Sequence, residues 1–318
     1  MSKIAFFRRN IEQYFILSSL ILLIIFFGFL SDNFLTLTTF TTILNQLPSL
    51  IVVTIGMTLV LIVADIDLSV GSVLGLSAAV IGVTAIGFDL PLPLACLSGI
   101  IIGALCGLVN GILSTYFSLP SFIVTLGMLE MARGASYMTT NSQTIFIGPE
   151  IQAISLPLKH IGISPALIIS LLIVVFAYLL LERTVFGRTI VALGTNSKAA
   201  ILSGIEVKKF RLVVLTSSGA LAGLGGLFNA AYLGAADPNA GTGLELSAIA
   251  AAVIGGTSLM GGRGSIFGAL AGVLIIAILQ NGLAQIGVAE PTKRLITGAV
   301  IIIAVLFDRI KSRKDVIS

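Results

Sequence analysis

Charge is scarce in this chain of 318 residues: Asp, Glu, Lys and Arg together make 10%, against about 25% in an ordinary soluble domain. Histidine is scarcer still. The single His160 falls in a loop, so zinc sites that need several histidines and His-based catalytic triads have no material. The two cysteines, Cys96 and Cys106, lie in an apolar stretch without metal-ligand or redox spacing and read as small core residues. Phosphate-loop chemistry is excluded in the same way. The glycine-rich stretches Ala240-Gly241-Thr242-Gly243 and Ile254 to Ser265 have no following Gly-Lys pair and no preceding strand. No enzyme signature and no resident cofactor emerge.

What replaces charge is apolar surface, at 57% of residues, more than one globule can bury. A bilayer resolves the excess, since each helical crossing takes about 20 predominantly apolar residues. Charge-free runs extend from Gln13 to Ser31, Asn33 to Ala64, Leu68 to Phe88 and Leu90 to Leu129, and five more follow. The run ending at Leu129 is too long for one crossing, and Ser118-Leu119-Pro120-Ser121 divides it. The expectation is an all-α, polytopic membrane protein with about ten spans. They fall near 14–30, 44–64, 69–88, 92–116, 120–138, 163–182, 211–232, 246–260, 265–285 and 293–308, the eighth being short enough to be a partial crossing. The chain reads as one membrane domain over 1–318, with an uncleaved first span at 13–30, a main cytoplasmic loop at 183–210 and a basic cytoplasmic tail at 309–318.

An even number of spans leaves both termini on one side, and charge says which. With the termini cytoplasmic, fourteen of the eighteen basic residues fall inside, among them Lys3, Arg8, Arg9, Arg188, Lys198 and Lys209. The net charge of +4 therefore follows topology and gives no reason to expect nucleic acid as a partner; membrane lipid is the expected surrounding.

Of thirty-four glycines, nine recur at a spacing of four, at Gly99, Gly103, Gly107 and Gly111, at Gly71 and Gly75, and at Gly264, Gly268 and Gly272. Small residues at this spacing let helix backbones approach closely in lipid, so these positions are expected to pack helices. A short echo, Gly71-Ser72-Val73-Leu74-Gly75 against Gly264-Ser265-Ile266-Phe267-Gly268, opens two of the striped helices.

Asp65-Ile66-Asp67-Leu68-Ser69-Val70-Gly71-Ser72 sets two carboxylates beside apolar runs. Two readings stay open: a capped turn, with Asp67 or Ser69 as N-cap, or an interrupted helix facing a transport path. Candidates for that path are Asp65, Asp67, Ser69, Ser72, Asn110, Glu245 and Asn281. Glu130 and Arg133, three apart, are expected to pair. In the loop from Glu182 to Arg211, Lys198-Ala199-Ala200-Ile201-Leu202 reads as a short helix capped by Asn196 and stopped by Gly204, suited to docking a partner.

These stretches resemble the monosaccharide permeases of bacterial ATP-binding-cassette importers, most nearly the ribose permeases. The matching residues are Met57-Thr58-Leu59-Val60 with Ile66-Asp67-Leu68-Ser69-Val70-Gly71-Ser72, Ala192-Leu193-Gly194 with Asn196 and Leu202-Ser203-Gly204-Ile205, Ala240-Gly241-Thr242-Gly243, and Glu245 through Gly264. The chain departs from that pattern at Ala64 or Asp65, where Gly is usual, and at Ser247, where Asp is frequent. The resemblance implies an inner-membrane permease working as a homodimer or beside a similar permease. It also implies a periplasmic or surface sugar-binding protein outside and a separate ATPase inside that alone binds ATP. The ATPase would grip Gly194, Asn196, Lys198, Ala199, Ala200, Ser203 and Gly204. Ribose is the first substrate expected, with xylose, allose, galactose or autoinducer-2 behind it. The rival class is an ion-coupled secondary transporter using Asp65, Asp67 and Glu245 as coupling acids.

Overall fold

The computed structural model describes residues 3–159 and 162–317, with side chains from Leu17 to Leu306 apart from three positions. His160 lies outside the described residues, as do the side chains of Lys3, Arg8, Arg9 and the basic residues after Leu306. Thirteen helices appear among the described residues: α1 (Lys3–Leu30), α2 (Leu37–Ile62), α3 (Val70–Gly82), α4 (Leu92–Thr115), α5 (Ser121–Thr140), α6 (Pro149–Gln152), α7 (Pro165–Arg183), α8 (Val185–Thr195), α9 (Ser197–Leu202), α10 (Val207–Leu233), α11 (Leu244–Ile254), α12 (Ile266–Gln285) and α13 (Glu290–Ile317). A π turn, Val83–Gly87, extends α3, and two-residue strands β1 (Ile145–Phe146) and β2 (Ala235–Ala236) pair antiparallel.

Each of the ten expected spans falls on a helix. Six helical stretches are long and apolar enough to cross a membrane: α2, α3 with its π turn, α4, α7, α10 and α12. The eighth, expected to be short enough for a partial crossing, is a short helix: α11 stops at Ile254, before the expected end at 260, and its 11 residues reach only about 16 Å, half of a ~30 Å hydrocarbon core. Gly255 and Gly256 follow, the second with φ +89°, and end the helix there. The connection expected at 183–210 holds more helix than the one short helical stretch foreseen in it. It is largely helical, since Gly187, Ile190 and Leu193 form a buried face of α8 while Arg188 stays outside. The basic stretch from 309 continues α13 rather than forming a separate tail.

Local chemistry starts five of these helices. Side-chain oxygens of Thr36, Ser164, Thr184, Asn196 and Ser265 accept from the third backbone N–H onward in α2, α7, α8, α9 and α12. The short α9 lies where Lys198 to Leu202 is expected to be helical, with Asn196 Oδ1 3.0 Å from the Ala199 nitrogen and Gly204 at φ +80° beyond its end.

Packing is organised by α2 and α10. From Ile51 to Ile62 every residue of α2 is buried, the mark of a helix enclosed on all sides. Helix α10 lies against α2, α3 and α4. Gly103 and Gly107 of α4 meet Gly219 and Gly223 of α10 so closely that a Cβ on Gly103 would stand 2.8 Å from the Gly223 Cα. Gly99 packs on Ile81 and Gly111 on Leu212, Gly71 and Gly75 lie under the Ala240–Gly241 segment, Gly264 meets Ile62, Gly268 faces Gly255 just past α11, and Gly272 faces Ala251 of α11. Phe27, Phe34 and Leu283 form a smaller cluster that holds α1 to α12.

The α4–α10 contact is backbone against backbone, so it has no flexible side chain to yield. Gly103→Ala is expected to lower stability by about 1–3 kcal/mol. Gly127→Ala, at an α5 position with open space beside it, should be neutral or stabilising by up to ~1 kcal/mol. Thermal unfolding in detergent measures both; equal midpoints for the two variants would contradict the close approach.

Candidate functional site

Uncharged amide side chains in apolar helices need partners, and here they gather. The first half of α2 supplies Asn45 and Gln46, the end of α10 supplies Asn229 and Tyr232, and α12 supplies Gln280 and Asn281. Together with Thr242 and Ser247 they line a cleft of about 640 Å³, within the range of small-molecule sites. Gln46 Nε2 donates to Tyr232 Oη at 2.8 Å, Asn281 Nδ2 donates to Gln46 Oε1 at 3.2 Å, and Gln280 Nε2 lies 3.5 Å from Ser247 Oγ. Asn45 Oδ1 and Asn229 Oδ1 are shielded and accept no hydrogen bond. Such acceptors are costly to leave unmet, by about 1–3 kcal/mol each, and a donor in the cleft reaches them only after the side chains turn toward it.

Charge is confined to the α13 side of this cleft. Glu290 lies 3.4 Å from Lys293 Nζ and 3.7 Å from Arg294 Nε, so its one negative charge is shared between two cations. The remaining wall offers amides, hydroxyls and a phenol, each able to donate, accept or both. That set matches a neutral ligand dense in hydroxyl groups.

A second polar cluster lies at the opposite end of α10, where Arg211 is about 27 Å from Asn229 along the helix. Arg211 makes a two-pronged contact with Asp65, its Nε 2.7 Å from Oδ2 and its Nη2 on Oδ1. Asp65 is 1% exposed and Arg211 30%. Next to it, Asp67 Oδ1 accepts from Ser69 Oγ at 2.6 Å and from the Ser69 nitrogen at 3.0 Å, while Oδ2 accepts from Ser218 Oγ at 3.0 Å. Asn110 Nδ2 donates to Ser69 Oγ at 3.0 Å. The backbone between the two carboxylates is satisfied from α5: Ser121 Oγ accepts from the Ile66 nitrogen, and Thr125 Oγ1 accepts from Leu68 and donates to the Ile66 carbonyl. Beside this network the Gly262 nitrogen donates to the Ile62 carbonyl at 2.9 Å, and Gly194 lies directly on that same carbonyl.

The comparisons with known proteins fit this geometry. A family described as the permease component of the branched-chain amino acid transport system matches residues 39–305. The ribose import permease protein RbsC of Escherichia coli is 38% identical over 302 residues, covering 93% of each chain. The D-allose transport system permease protein AlsC of Escherichia coli is 37% identical, covering 97% of this chain and 94% of its own. The autoinducer 2 import system permease protein LsrC of Escherichia coli is 33% identical, covering 95% and 88%. The chain belongs to this permease family. No solved structure matches the permease.

Of the expected path residues in the permease, Asn281 alone lines the cleft. Asp65, Asp67, Ser69 and Asn110 are brought together at the other end, and Ser72 is buried on α3 beside them in sequence. Glu245 turns away from the cleft and lies against Gly71. Ser69 does occupy the N-cap position of α3, but its hydroxyl points to Asp67 instead of capping. The expected Glu130–Arg133 pair is not formed: Arg133 donates to the carbonyls of Pro238 and Ala240, both at 2.9 Å, and Glu130 is exposed. Two carbonyls that no helix satisfies outcompete a carboxylate one turn away. Asn45, Gln46, Asn229, Tyr232 and Gln280 were not among the residues singled out from sequence, and Ser247 was noted only as a departure from the family pattern. Their signal was amides inside charge-free spans, which a reading by charge alone passes over.

Removing one partner of a buried ion pair strands the other. Arg211→Met in the permease is expected to lower stability by about 3–5 kcal/mol, and the double variant Asp65→Leu with Arg211→Met should recover much of it. Detergent unfolding midpoints read this; a double variant no better than Arg211→Met would mean the pair contributes through its neighbours instead.

Proposed function

We propose that the chain is the membrane-spanning permease subunit of an ATP-driven importer in a bacterial inner membrane and that it carries a monosaccharide, ribose being the first to test. The observation that carries this reading is the cleft. Apart from the charges on α13 its wall is uncharged, built of amides, hydroxyls and a phenol, and a sugar brings several hydroxyl groups and no charge. The names of the relatives, which are ribose, allose and autoinducer 2 permeases, support the same class of cargo.

About ten crossings, with both termini cytoplasmic, put the cleft on the outer side and α8, α9 and the Asp65–Arg211 pair on the inner side. A binding protein would deliver sugar to the cleft. A separate ATPase would press on α9, and Gly194, packed on the Ile62 carbonyl, would pass the push to the junction of α2 and α3. A second copy, or a similar permease, would complete the pathway. Sugar enters while the cleft faces outward and leaves inward when ATP hydrolysis in the partner resets the pair. An ion-coupled mechanism has weaker support, because Asp65 is matched by Arg211 and Asp67 by Ser69 and Ser218.

The test is uptake of radiolabelled ribose into vesicles holding the permease, its ATPase and its binding protein. Uptake should stop on ATP depletion and survive an ionophore. Asn281→Ala and Gln280→Ala, each removing a hydrogen bond of about 0.5–1.5 kcal/mol, should raise the half-saturating sugar concentration roughly three- to tenfold. Gly204→Trp should leave insertion and ATP hydrolysis intact while uptake falls. Sugar uptake by the chain without any ATPase would end the proposal.

A further inference from the structure

Among the described residues a second cleft, of about 630 Å³, lies between α2, α7, α8 and α10 and belongs to neither polar cluster. Its wall is apolar. Ile55 and Val214, each 1% exposed, form the floor, while Phe176 at 66% and Val213 at 43% stand at the mouth, so the space opens to the surface of the bundle. The Phe186 and Phe210 rings, 5.6 Å apart, stand at one end. Water gains nothing from such a wall. Along α7 the cleft runs from Ile173 to Thr184, about 16 Å, which is the depth of one leaflet of a ~30 Å hydrocarbon core.

The two long walls end in cations. On α7 the lining positions Ile173, Phe176 and Leu180 continue at the helical repeat to Arg183. On α10, which runs the opposite way, Ser217 and Val213 continue back to Lys209. Both cations are exposed and at the same end of the cleft, and neither has an ion-pair partner among the described residues. The segment from Glu182 to Arg211 carries six basic residues against two acidic ones. An acyl-chain-shaped slot one leaflet deep, closed at its polar end by two unpaired cations, fits one class of ligand.

We infer that this cleft binds an anionic phospholipid, its acyl chain between α7 and α10 and its phosphate held by Arg183 and Lys209. The inference goes beyond sugar transport and requires only that the chain lie in lipid. Because α10 also carries Arg211 and Tyr232, the lipid would brace the helix that joins both polar clusters.

The test uses the full chain in detergent, titrated with dioleoyl phosphatidylglycerol or dioleoyl phosphatidylcholine, with thermal unfolding and native mass spectrometry as readouts. Phosphatidylglycerol should raise the unfolding midpoint further than phosphatidylcholine, saturably, with one lipid retained per chain. The R183Q/K209Q variant, altered only at exposed positions, should lose the headgroup preference, and Ala220→Phe, which fills the slot, should lose the retained lipid. Equal effects of the two lipids on the unaltered chain, a preference unchanged in R183Q/K209Q, or the same shift with inorganic phosphate alone would each overturn the proposal in favour of annular lipid or a simple anion effect. Should Ala220→Phe fail to fold, R183Q/K209Q decides.

Discussion

The carbonyl of Ile62 is the point on which three elements converge. It ends α2, accepts from the Gly262 nitrogen in the break between α11 and α12, and is covered by Gly194 at the end of α8. In apolar surroundings a backbone carbonyl must find a donor, and irregular backbone persists only where its polar groups are met within the protein. Both breaks satisfy that constraint through each other. The first is further held by Ser121 and Thr125 of α5 and by Arg211 on Asp65. Ala64, at φ +60°, shows how sharply the chain turns to bring Asp65 under that guanidinium.

Each break is followed by one copy of the glycine echo, Gly71 to Gly75 opening α3 and Gly264 to Gly268 opening α12. The glycines serve approach instead of turning: Gly71 and Gly75 admit the Ala240–Gly241 segment, Gly268 admits Gly255. The two breaks thus resemble one another in sequence, in position before a small-residue helix and in meeting at Ile62. Corresponding interruptions in two parts of a chain are a feature of transporters built on internal repeats.

Helix α10 joins the rest. Arg211 and Ser218 hold the two carboxylates near its start, Gly219 and Gly223 lock it to α4, and Asn229 and Tyr232 line the cleft near its end. A straight helix about 40 Å long is stiff across that span, so a tilt at the Arg211 end moves the cleft wall as well. The permease can thereby link a polar cleft at one end to a packed ionic joint at the other through a stretch of α10, from Leu212 to Leu233, that carries no charge.

Much of this was written in the chain itself. Charge-free runs, with the break at Pro120, pointed to ten of the thirteen helices, because the free energy of apolar surface is local and additive along a segment. The cap at Asn196 and the stop at Gly204 were legible for the same reason, since a helix end depends on a few neighbouring residues. Tertiary structure alone decided which polar groups meet. Arg211 lies 146 residues from Asp65, and Asn281 lies 235 from Gln46. Arg133, three residues from Glu130, turned to the carbonyls of Pro238 and Ala240, more than 100 residues away. A hydrogen bond is chosen by what stands within about 3 Å after folding, and in a bundle of crossed helices that distance is not encoded by spacing along any one of them.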